Sequence, residues 1–250
     1  MRLGLLLLAV LLGGCAEEAG RPALPGLPAP RETESAPHTM ELTGCTGMNT
    51  AWAGDQEKLQ GLLPDGYVSS GIGPLVTVGT DWQACARVLL DNVTLLEDVG
   101  LVLTSARLDD VPANRTQGKD AYLYEAFTTS EALAAWLRER GFSAEVGKVS
   151  CAAGPSATCM VEAANATYTF QTGPDIDRGP SEFDLSFRLH HSKEGHRVWA
   201  DFVVSEERRQ GLTAVEGTVA GGTAGVVAVP PGHVSGVAGF TSTHSLYVFG

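Results

Sequence analysis

The amino-acid sequence predicts a β-rich α+β protein, built on an antiparallel sheet or a partly closed β-barrel with two short helices. Three observations lead to this fold class. Stretches in which apolar and polar residues alternate with period 2 recur along the chain, and only two segments carry helix start and stop signals. No strand–helix–strand alternation is sustained, which disfavours a doubly wound parallel sheet.

The predicted strands follow from this alternation and from the turn residues between them. The clearest hairpin covers residues 183–204, where Phe183, Leu185, Phe187 and Leu189 alternate with polar residues before the turn at residues 192–195. Strands are predicted at residues 75–79, 86–95, 99–108, 121–128, 144–150, 158–163, 167–172, 183–191, 196–204, 213–219, 225–229 and 235–249, the last as two strands.

The two predicted helices have recognisable ends. Asp55 is a suitable N-cap for a helix that ends at Leu63, before the turn that Pro64 begins. The second helix runs over residues 130–140, with Ser130 as its N-cap and Gly141 as the residue that ends it.

The N-terminal segment has the properties of an export signal. A short basic start, Met1-Arg2, precedes about ten apolar residues, which as a helix would span about 15 Å, half of a bilayer's hydrocarbon core. Residues 1–14 are therefore predicted to be a signal peptide rather than a membrane-spanning helix.

The segment Leu12-Gly13-Gly14-Cys15 resembles the lipobox of bacterial lipoproteins. This resemblance implies cleavage before Cys15 and lipidation of its thiol, which would anchor the protein in a membrane on the extracytoplasmic side of the cell envelope, the outer membrane if the host has one. Residues 15–40 would then form the lipidated N-terminus and a proline-rich tether, and residues 41–250 a single β-rich domain. An ordinary secretory signal with a chance cysteine is the alternative.

The cysteine count agrees with export. Lipidation of Cys15 leaves four of the five cysteines, and we favour a Cys151–Cys159 disulfide because the intervening loop is rich in turn residues. Cys45–Cys85 then follows, and an oxidising compartment makes such bonds persistent. Four buried free thiols remain the alternative.

The acidic composition excludes some partners. The formal net charge is -12, and 17 basic residues are scattered among 29 acidic ones. A nucleic-acid surface needs clustered Lys and Arg, so no nucleic-acid partner is expected. The expected partners are the membrane, through the lipid anchor, and a small-molecule ligand.

No catalytic motif, cofactor or metal site is predicted. The sequence lacks a G-x-S-x-G elbow, an H-E-x-x-H segment and a P-loop. His190, His191 and His196 gather at the predicted hairpin tip, but adjacent strand residues point to opposite faces, so an exposed hairpin end is the simpler interpretation.

Tyr122, Tyr124 and Glu125 are the candidate ligand residues. On a regular strand the two tyrosines share one face and Glu125 lies on the other. In a small closed barrel such groups could line a ligand cavity, whereas a half-exposed sheet face explains the tyrosines equally well.

Two segments resemble the acetoacetate-decarboxylase-like fold. One is Leu63-Pro64-Asp65-Gly66-Tyr67, a turn that follows a short helix, and the other is the strand and helix leading to a Gly-aromatic turn at residues 121–142. The resemblance covers residues 55–150 and implies long antiparallel strands after the first helix.

The sequence departs from that family at the catalytic lysines. The decarboxylase forms a Schiff base with a lysine whose pKa an adjacent lysine lowers. In place of the family's Gly-Phe-Pro-Lys-Lys-type segment, this chain has Gly141-Phe142-Ser143-Ala144-Glu145. The chain has four lysines, and no two of them are adjacent: Lys58, Lys119, Lys148 and Lys193. We therefore expect a lipid-anchored binding or accessory module. The alternative is an enzyme of this fold with a non-standard active site, which Lys119 or Lys148 near Glu125 would favour.

Overall fold

The computed structural model describes residues 37–110, 120–151, 157–182, 187–193 and 196–249, and confirms the β-rich α+β fold class. The strands are β1 His38–Asp55, β2 Val68–Ser69, β3 Gly71–Ile72, β4 Leu75–Leu90, β5 Thr94–Asp110, β6 Asp120–Thr128, β7 Ala144–Cys151, β8 Thr158–Ala163, β9 Ala166–Glu182, β10 Phe187–Lys193, β11 His196–Gly221 and β12 His233–Phe249. The helices are α1 Gln56–Leu62, α2 Glu131–Glu139 and α3 Gly222–Val227.

The strands form one mixed sheet that is partly ringed but is not a regular barrel. Its order is β10-β6-β7-β8-β9-β11-β12-β1-β4-β5-β2, and β3 pairs with β4. Additional pairings of β6 with β5 and of β10 with β11 connect distant parts of this path, so the sheet curls back on itself. The pairs β6–β7 and β10–β6 are parallel.

Two hydrophobic clusters pack against the curled sheet. The inner cluster includes the fully buried Trp52, Trp82, Tyr168 and Phe170. The second cluster lies where α2 packs on the sheet and includes Leu133 of that helix. Burying a large side chain of this kind stabilises the fold by roughly 1.5–3 kcal/mol, so both clusters hold the long strands in place.

Helices α1 and α2 begin and end as the sequence predicts. The Asp55 carboxylate accepts a hydrogen bond from the Lys58 N–H at 3.0 Å, and the Ser130 hydroxyl accepts one from the Leu133 N–H at 3.2 Å. Gly141 follows α2 with a φ of 83°, a left-handed conformation that glycine adopts without steric cost. Within the described part of the chain, no helix combines the length and apolar character needed to cross a membrane.

Helix α3 corrects the predicted strand at residues 225–229. The helix begins at Gly222, with Gly221 as its N-cap, and the φ angles of Gly221 and Gly222 are 68° and 56°. This glycine pair lets the chain leave β11 and turn sharply, which a β-carbon would prevent. The prediction was wrong because six residues are too few to show helical periodicity.

The long strands also differ from the predicted segments. Strand β1 was not predicted, since its small residues, such as Gly44 and Gly47, weaken the alternation. Strands β11 and β12 are continuous where the sequence suggested breaks, and register shifts along their pairing let them bend without ending. In the described part of the 183–204 hairpin, β10 pairs antiparallel with β11, and Phe187 lies opposite Phe202.

Both predicted cysteine pairs are confirmed. Cys45 on β1 lies directly opposite Cys85 on β4, and the two residues form a disulfide. Cys151 on β7 lies opposite Cys159 on β8 and forms the second one. Cys15 lies outside the described residues.

Asp91 connects the β4–β5 turn to helix α2. Its carboxylate accepts hydrogen bonds from the Trp136 indole N–H at 2.9 Å, from Arg140 at 2.7 Å and from the Thr39 N–H at 2.9 Å. Burial acts to raise the pKa of Asp91, but these hydrogen bonds and the Arg140 charge outweigh it and lower the pKa.

Candidate active site

A bulge in β6 places Glu125 on the inner face of the sheet. Thr104 on β5 pairs with Glu125, but the next residue, Ser105, pairs with Leu123, so Tyr124 is an extra residue in β6. A bulge of this kind interrupts the alternation of side chains. The predicted arrangement, in which Glu125 points away from Tyr122 and Tyr124, is therefore wrong: Glu125 contacts Tyr168, a member of the same inner cluster as the two tyrosines.

Both carboxylate oxygens of Glu125 accept hydrogen bonds from the protein. The Tyr168 hydroxyl on β9 donates to Oε1 at 2.5 Å, and the Thr223 N–H at the start of α3 donates to Oε2 at 2.9 Å. These two donors fix the orientation of the carboxyl group.

The glycine pair at the start of α3 leaves room for this arrangement. A β-carbon on Gly222 would overlap the Tyr168 hydroxyl and lie 2.8 Å from Oε2 of Glu125. Because Gly222 has no side chain, the start of α3 approaches the carboxyl group closely enough for the Thr223 N–H to reach it.

Burial raises the pKa of Glu125 above its usual range. Hydrogen bonds from the Tyr168 hydroxyl and from the Thr223 N–H favour the charged form and offset part of this effect. Burial also raises the pKa of Tyr168, and the negative charge of Glu125 adds to that shift. Tyr168 therefore stays a hydrogen-bond donor, while Glu125 is the group whose protonation state can change.

Glu125 keeps a partly exposed surface among buried neighbours. Tyr168 and Ala224 are fully buried, and Tyr124 and Phe127 are 8 % and 2 % exposed.

Three tyrosines lie in a row beside Glu125. The ring centroids of Tyr124 and Tyr122 are 5.0 Å apart, and those of Tyr122 and Tyr67 are 5.3 Å apart, both in edge-to-face geometry. The Tyr122 oxygen accepts a hydrogen bond from the Ser192 N–H at 3.1 Å. The Tyr124 hydroxyl is buried and has no hydrogen-bond partner among the described residues, and burial raises its pKa.

Trp82 supplies a second unpaired donor on the same face. Trp82 on β4 pairs with Val102 on β5, and Val102 pairs with Phe127 on β6. Phe127 lies two residues after Glu125 on the same strand. The Trp82 ring packs against Phe170 with a centroid distance of 5.2 Å, and its buried indole N–H has no partner among the described residues. Unpaired buried donors are costly, so Tyr124 and Trp82 indicate where an acceptor atom of a ligand would bind.

The histidines do not form the exposed hairpin end expected from the sequence. His191 is buried, and its Nδ1 lies 2.8 Å from the Leu123 carbonyl oxygen. His190 is half-buried, and its Nε2 lies 2.8 Å from Oδ1 of Asp120. Strand β10 pairs with β6, which the sequence pattern does not reveal, and this pairing brings His190 and His191 next to residues of β6. Among the described residues, no group of three or more His, Cys, Asp or Glu is arranged to hold a metal ion.

The lysines whose side chains the structure describes lie away from this site. Lys148 is exposed and pairs with Glu162 at 3.2 Å, and Lys58 is exposed at the start of α1. Lys119 lies outside the described residues, and the Lys193 side chain is not described.

Sequence reasoning missed Tyr168 and the start of α3. Tyr168 is 43 residues from Glu125, and strand alternation gives no information on such a contact. The adjacent glycines Gly221 and Gly222 were the available signal, because a Gly–Gly pair at a strand end permits a close backbone approach.

The fold is shared with solved structures of acetoacetate-decarboxylase-like enzymes. The enduracididine biosynthesis enzyme MppR, complexed with pyruvate, aligns over 88% of this chain and 91% of its own, with 12% identity and a TM-score of 0.53. The same enzyme with HEPES buffer bound aligns over 94% and 97%, with 11% identity and a TM-score of 0.53. A structure of acetoacetate decarboxylase aligns over 84% and 88%, with 10% identity and a TM-score of 0.50.

These likenesses define the fold of the chain as acetoacetate-decarboxylase-like, as the resemblance in the sequence suggested. No protein-family profile matches the chain, and no curated protein matches it. At 10–12% identity the likeness concerns the fold alone.

Proposed function

We propose that the chain is an enzyme of the acetoacetate-decarboxylase-like fold that moves protons on a small carbonyl compound through Glu125. The observation that carries this proposal is the Glu125 carboxyl group, held inside the curled sheet by Tyr168 and the start of α3. Burial raises the pKa of this carboxyl group, which makes it a better proton acceptor than an exposed glutamate, as a general base requires.

The ligand is inferred from the donors around Glu125. The Tyr124 hydroxyl and the Trp82 indole N–H are buried and unpaired among the described residues, and aromatic rings surround them. A carbonyl oxygen accepts hydrogen bonds from such groups, and the rings accommodate a short apolar body. With the carbonyl so held, Glu125 would take a proton from the neighbouring carbon and return it. The C–H electron pair would form a C=C bond while the π pair of the carbonyl moves onto its oxygen, and both shifts would reverse when the proton returns to the carbon.

The proposed chemistry does not form a covalent bond with the enzyme. Schiff-base catalysis needs a lysine amine at the reacting carbonyl, and the two lysines whose side chains the structure describes, Lys58 and Lys148, are exposed to solvent. The acidic group would therefore act directly on the bound compound.

The test is exchange of carbon-bound protons in deuterated water, followed by NMR with pyruvate, acetone and acetoacetate as probes. The wild-type protein is expected to speed exchange of at least one probe, and Glu125→Gln to slow that exchange by about a hundredfold or more. Glu97→Gln, at an exposed carboxylate, is the matched control and should retain the wild-type rate. Exchange that Glu125→Gln leaves intact, or no protein-dependent exchange with any probe, would contradict the proposal.

A trapping experiment separates this chemistry from Schiff-base catalysis. The protein is incubated with pyruvate and sodium cyanoborohydride, and its intact mass is measured. We expect no covalent adduct. A mass increase that corresponds to reduced pyruvate on one lysine would overturn the non-covalent mechanism.

We also propose that the protein is a lipoprotein of the cell envelope, anchored through Cys15. The lipobox-like segment supports this location, and the two disulfides account for the other four cysteines. The intact mass of the protein recovered from bacterial membranes tests it. Loss of residues 1–14 together with added acyl chains is expected, whereas an unmodified, water-soluble chain that begins at Met1 would refute the anchor.

A further inference from the structure

We propose that His190 and Asp120 form a second acid–base site, distinct from Glu125, which binds the hydroxyl group of a small aromatic alcohol or phenol at Nδ1 of His190. The pair lies where β10 runs parallel to β6. Neither residue takes part in the proposed proton transfer at Glu125.

The contact between the two side chains determines which ring nitrogen is available. Nε2 of His190 lies 2.8 Å from Oδ1 of Asp120, and the Asp120 side chain is 5 % exposed. A buried carboxylate accepts a hydrogen bond, so Nε2 carries the proton and Nδ1 presents a lone pair. No described residue forms a hydrogen bond with Nδ1, and the His190 side chain is 14 % exposed, so a ligand can reach the ring.

Charged side chains on β6, β10 and β11 act on the pKa of His190. Burial lowers the pKa of His190, and the hydrogen bond and charge of Asp120 partly offset this effect. Arg188, on the same strand, lowers the pKa further, while Asp201 on β11 raises it slightly. Tyr67 meets the imidazole edge-to-face with a centroid distance of 5.9 Å. The imidazole is therefore neutral at pH 7 and able to accept a proton.

Trp199 provides the aromatic part of the proposed site. It lies directly opposite His190 in the β10–β11 pair, so both side chains project from the same face. Trp199 is half-buried, and the Arg188 guanidinium stacks over its ring at 4.2 Å. A ligand that combines a hydroxyl group with a flat apolar ring can contact His190 and Trp199 together. Its hydroxyl proton would be shared with Nδ1, and Asp120 would stabilise the resulting positive charge.

The experiment uses the full chain labelled with ¹⁵N and phenol as the probe. Long-range ¹H–¹⁵N spectra report which ring nitrogen of His190 carries the proton. We expect a protonated Nε2 and a bare Nδ1 in the free protein, and a saturable shift of Nδ1 as phenol is added. A bare Nε2, or an Nδ1 that phenol does not shift, would overturn the proposal.

Variants link phenol binding to the named side chains. His190→Asn should weaken phenol binding by about tenfold or more, as expected when a buried acceptor is lost. Asp120→Asn keeps the imidazole and an acceptor oxygen but removes the negative charge that raises the pKa of His190, so the pKa of His190 should fall in this variant. His233→Asn, at an exposed histidine, should bind phenol as the wild type does. Equal phenol affinity in wild type and His190→Asn would refute the site.

The two proposals can fail separately. Glu125→Gln should leave the phenol titration of His190 unchanged, and His190→Asn should leave proton exchange at the Glu125 site unchanged. A change in the phenol titration upon Glu125→Gln would show that the two sites are not distinct, and would overturn this inference alone.

Discussion

The Tyr168 hydroxyl donates a hydrogen bond of 2.5 Å to Glu125 across the inside of the sheet, from β9 to β6. This contact, together with the Thr223 N–H, fixes an acidic group in a mostly apolar interior. A buried acid would be neutralised or poorly oriented without such donors. The predictions below follow from this arrangement and from the features that support it.

The stability of the protein should fall as the pH rises through the raised pKa of Glu125. Folding favours the protonated acid, so this contribution is fully present below the unfolded-state pKa of 4.5 and is lost as the pH rises through the folded-state value. Glu125→Gln has no titrating carboxyl group at this position, so its stability should not show this decrease. Thermal or urea unfolding of both proteins from pH 4 to 8 measures this effect. The slopes of unfolding free energy against pH should differ by up to about 1.4 kcal/mol per pH unit. Parallel pH profiles would show that Glu125 is not shifted upward.

Tyr168→Phe should raise the pKa of Glu125 further and destabilise the fold by about 1–3 kcal/mol. The substitution removes a donor that favours the charged acid and leaves a buried oxygen with one partner fewer. Tyr124→Phe is the matched control: because its hydroxyl has no partner among the described residues, its removal should not destabilise the fold. Chemical denaturation measures both, and equal effects would contradict the assigned contact.

Gly222→Ala should destabilise the protein more than Gly73→Ala. Both glycines have a positive φ, 56° and 63°, so both substitutions carry a strain of about 1–2 kcal/mol. Nothing lies within 4 Å of a β-carbon on Gly73, whereas one on Gly222 overlaps the Tyr168 hydroxyl. The overlap should add about 1–3 kcal/mol, measured as the difference in unfolding free energy. Equal losses would show that the start of α3 does not pack against the site.

Asp91→Asn should destabilise the contact between the β4–β5 turn and α2 by about 1–3 kcal/mol at pH 7. The pKa of Asp91 is lowered in the folded state, so the stabilisation exists above the ordinary value of 3.8 and disappears as the pH falls through the folded-state value. Asp98→Asn is the control, since Asp98 is exposed and has the same φ of 52°. If unfolding at pH 7 shows the same loss for both variants, the Asp91 contacts do not stabilise the fold.

The sequence predicted the fold class because strand alternation and helix caps are local signals. Asp55 and Ser130 cap helices in the structure as their spacing indicated, and Cys151 forms a disulfide with Cys159 as the short separation between them suggested. These features depend on a few neighbouring residues. They could therefore be inferred without knowing which strands pair.

The candidate site could be predicted only in part, because it depends on strand pairing. Tyr122, Tyr124 and Glu125 were identified, but the bulge that turns Glu125 inward exists only when β6 pairs with β5. Tyr168 reaches Glu125 from a strand 43 residues away. The pairing of Asp120 with His190 likewise needs the parallel contact of β10 with β6.

The most direct test of the central claim is the titration of the Glu125 carboxyl carbon by ¹³C NMR in the wild-type protein, with Glu125→Gln used to assign the signal. The structure predicts a midpoint above the usual 4.5, and a further rise in Tyr168→Phe. A carboxyl carbon that titrates at or below 4.5, as an exposed glutamate does, would contradict the account of Glu125 as a buried acid–base group.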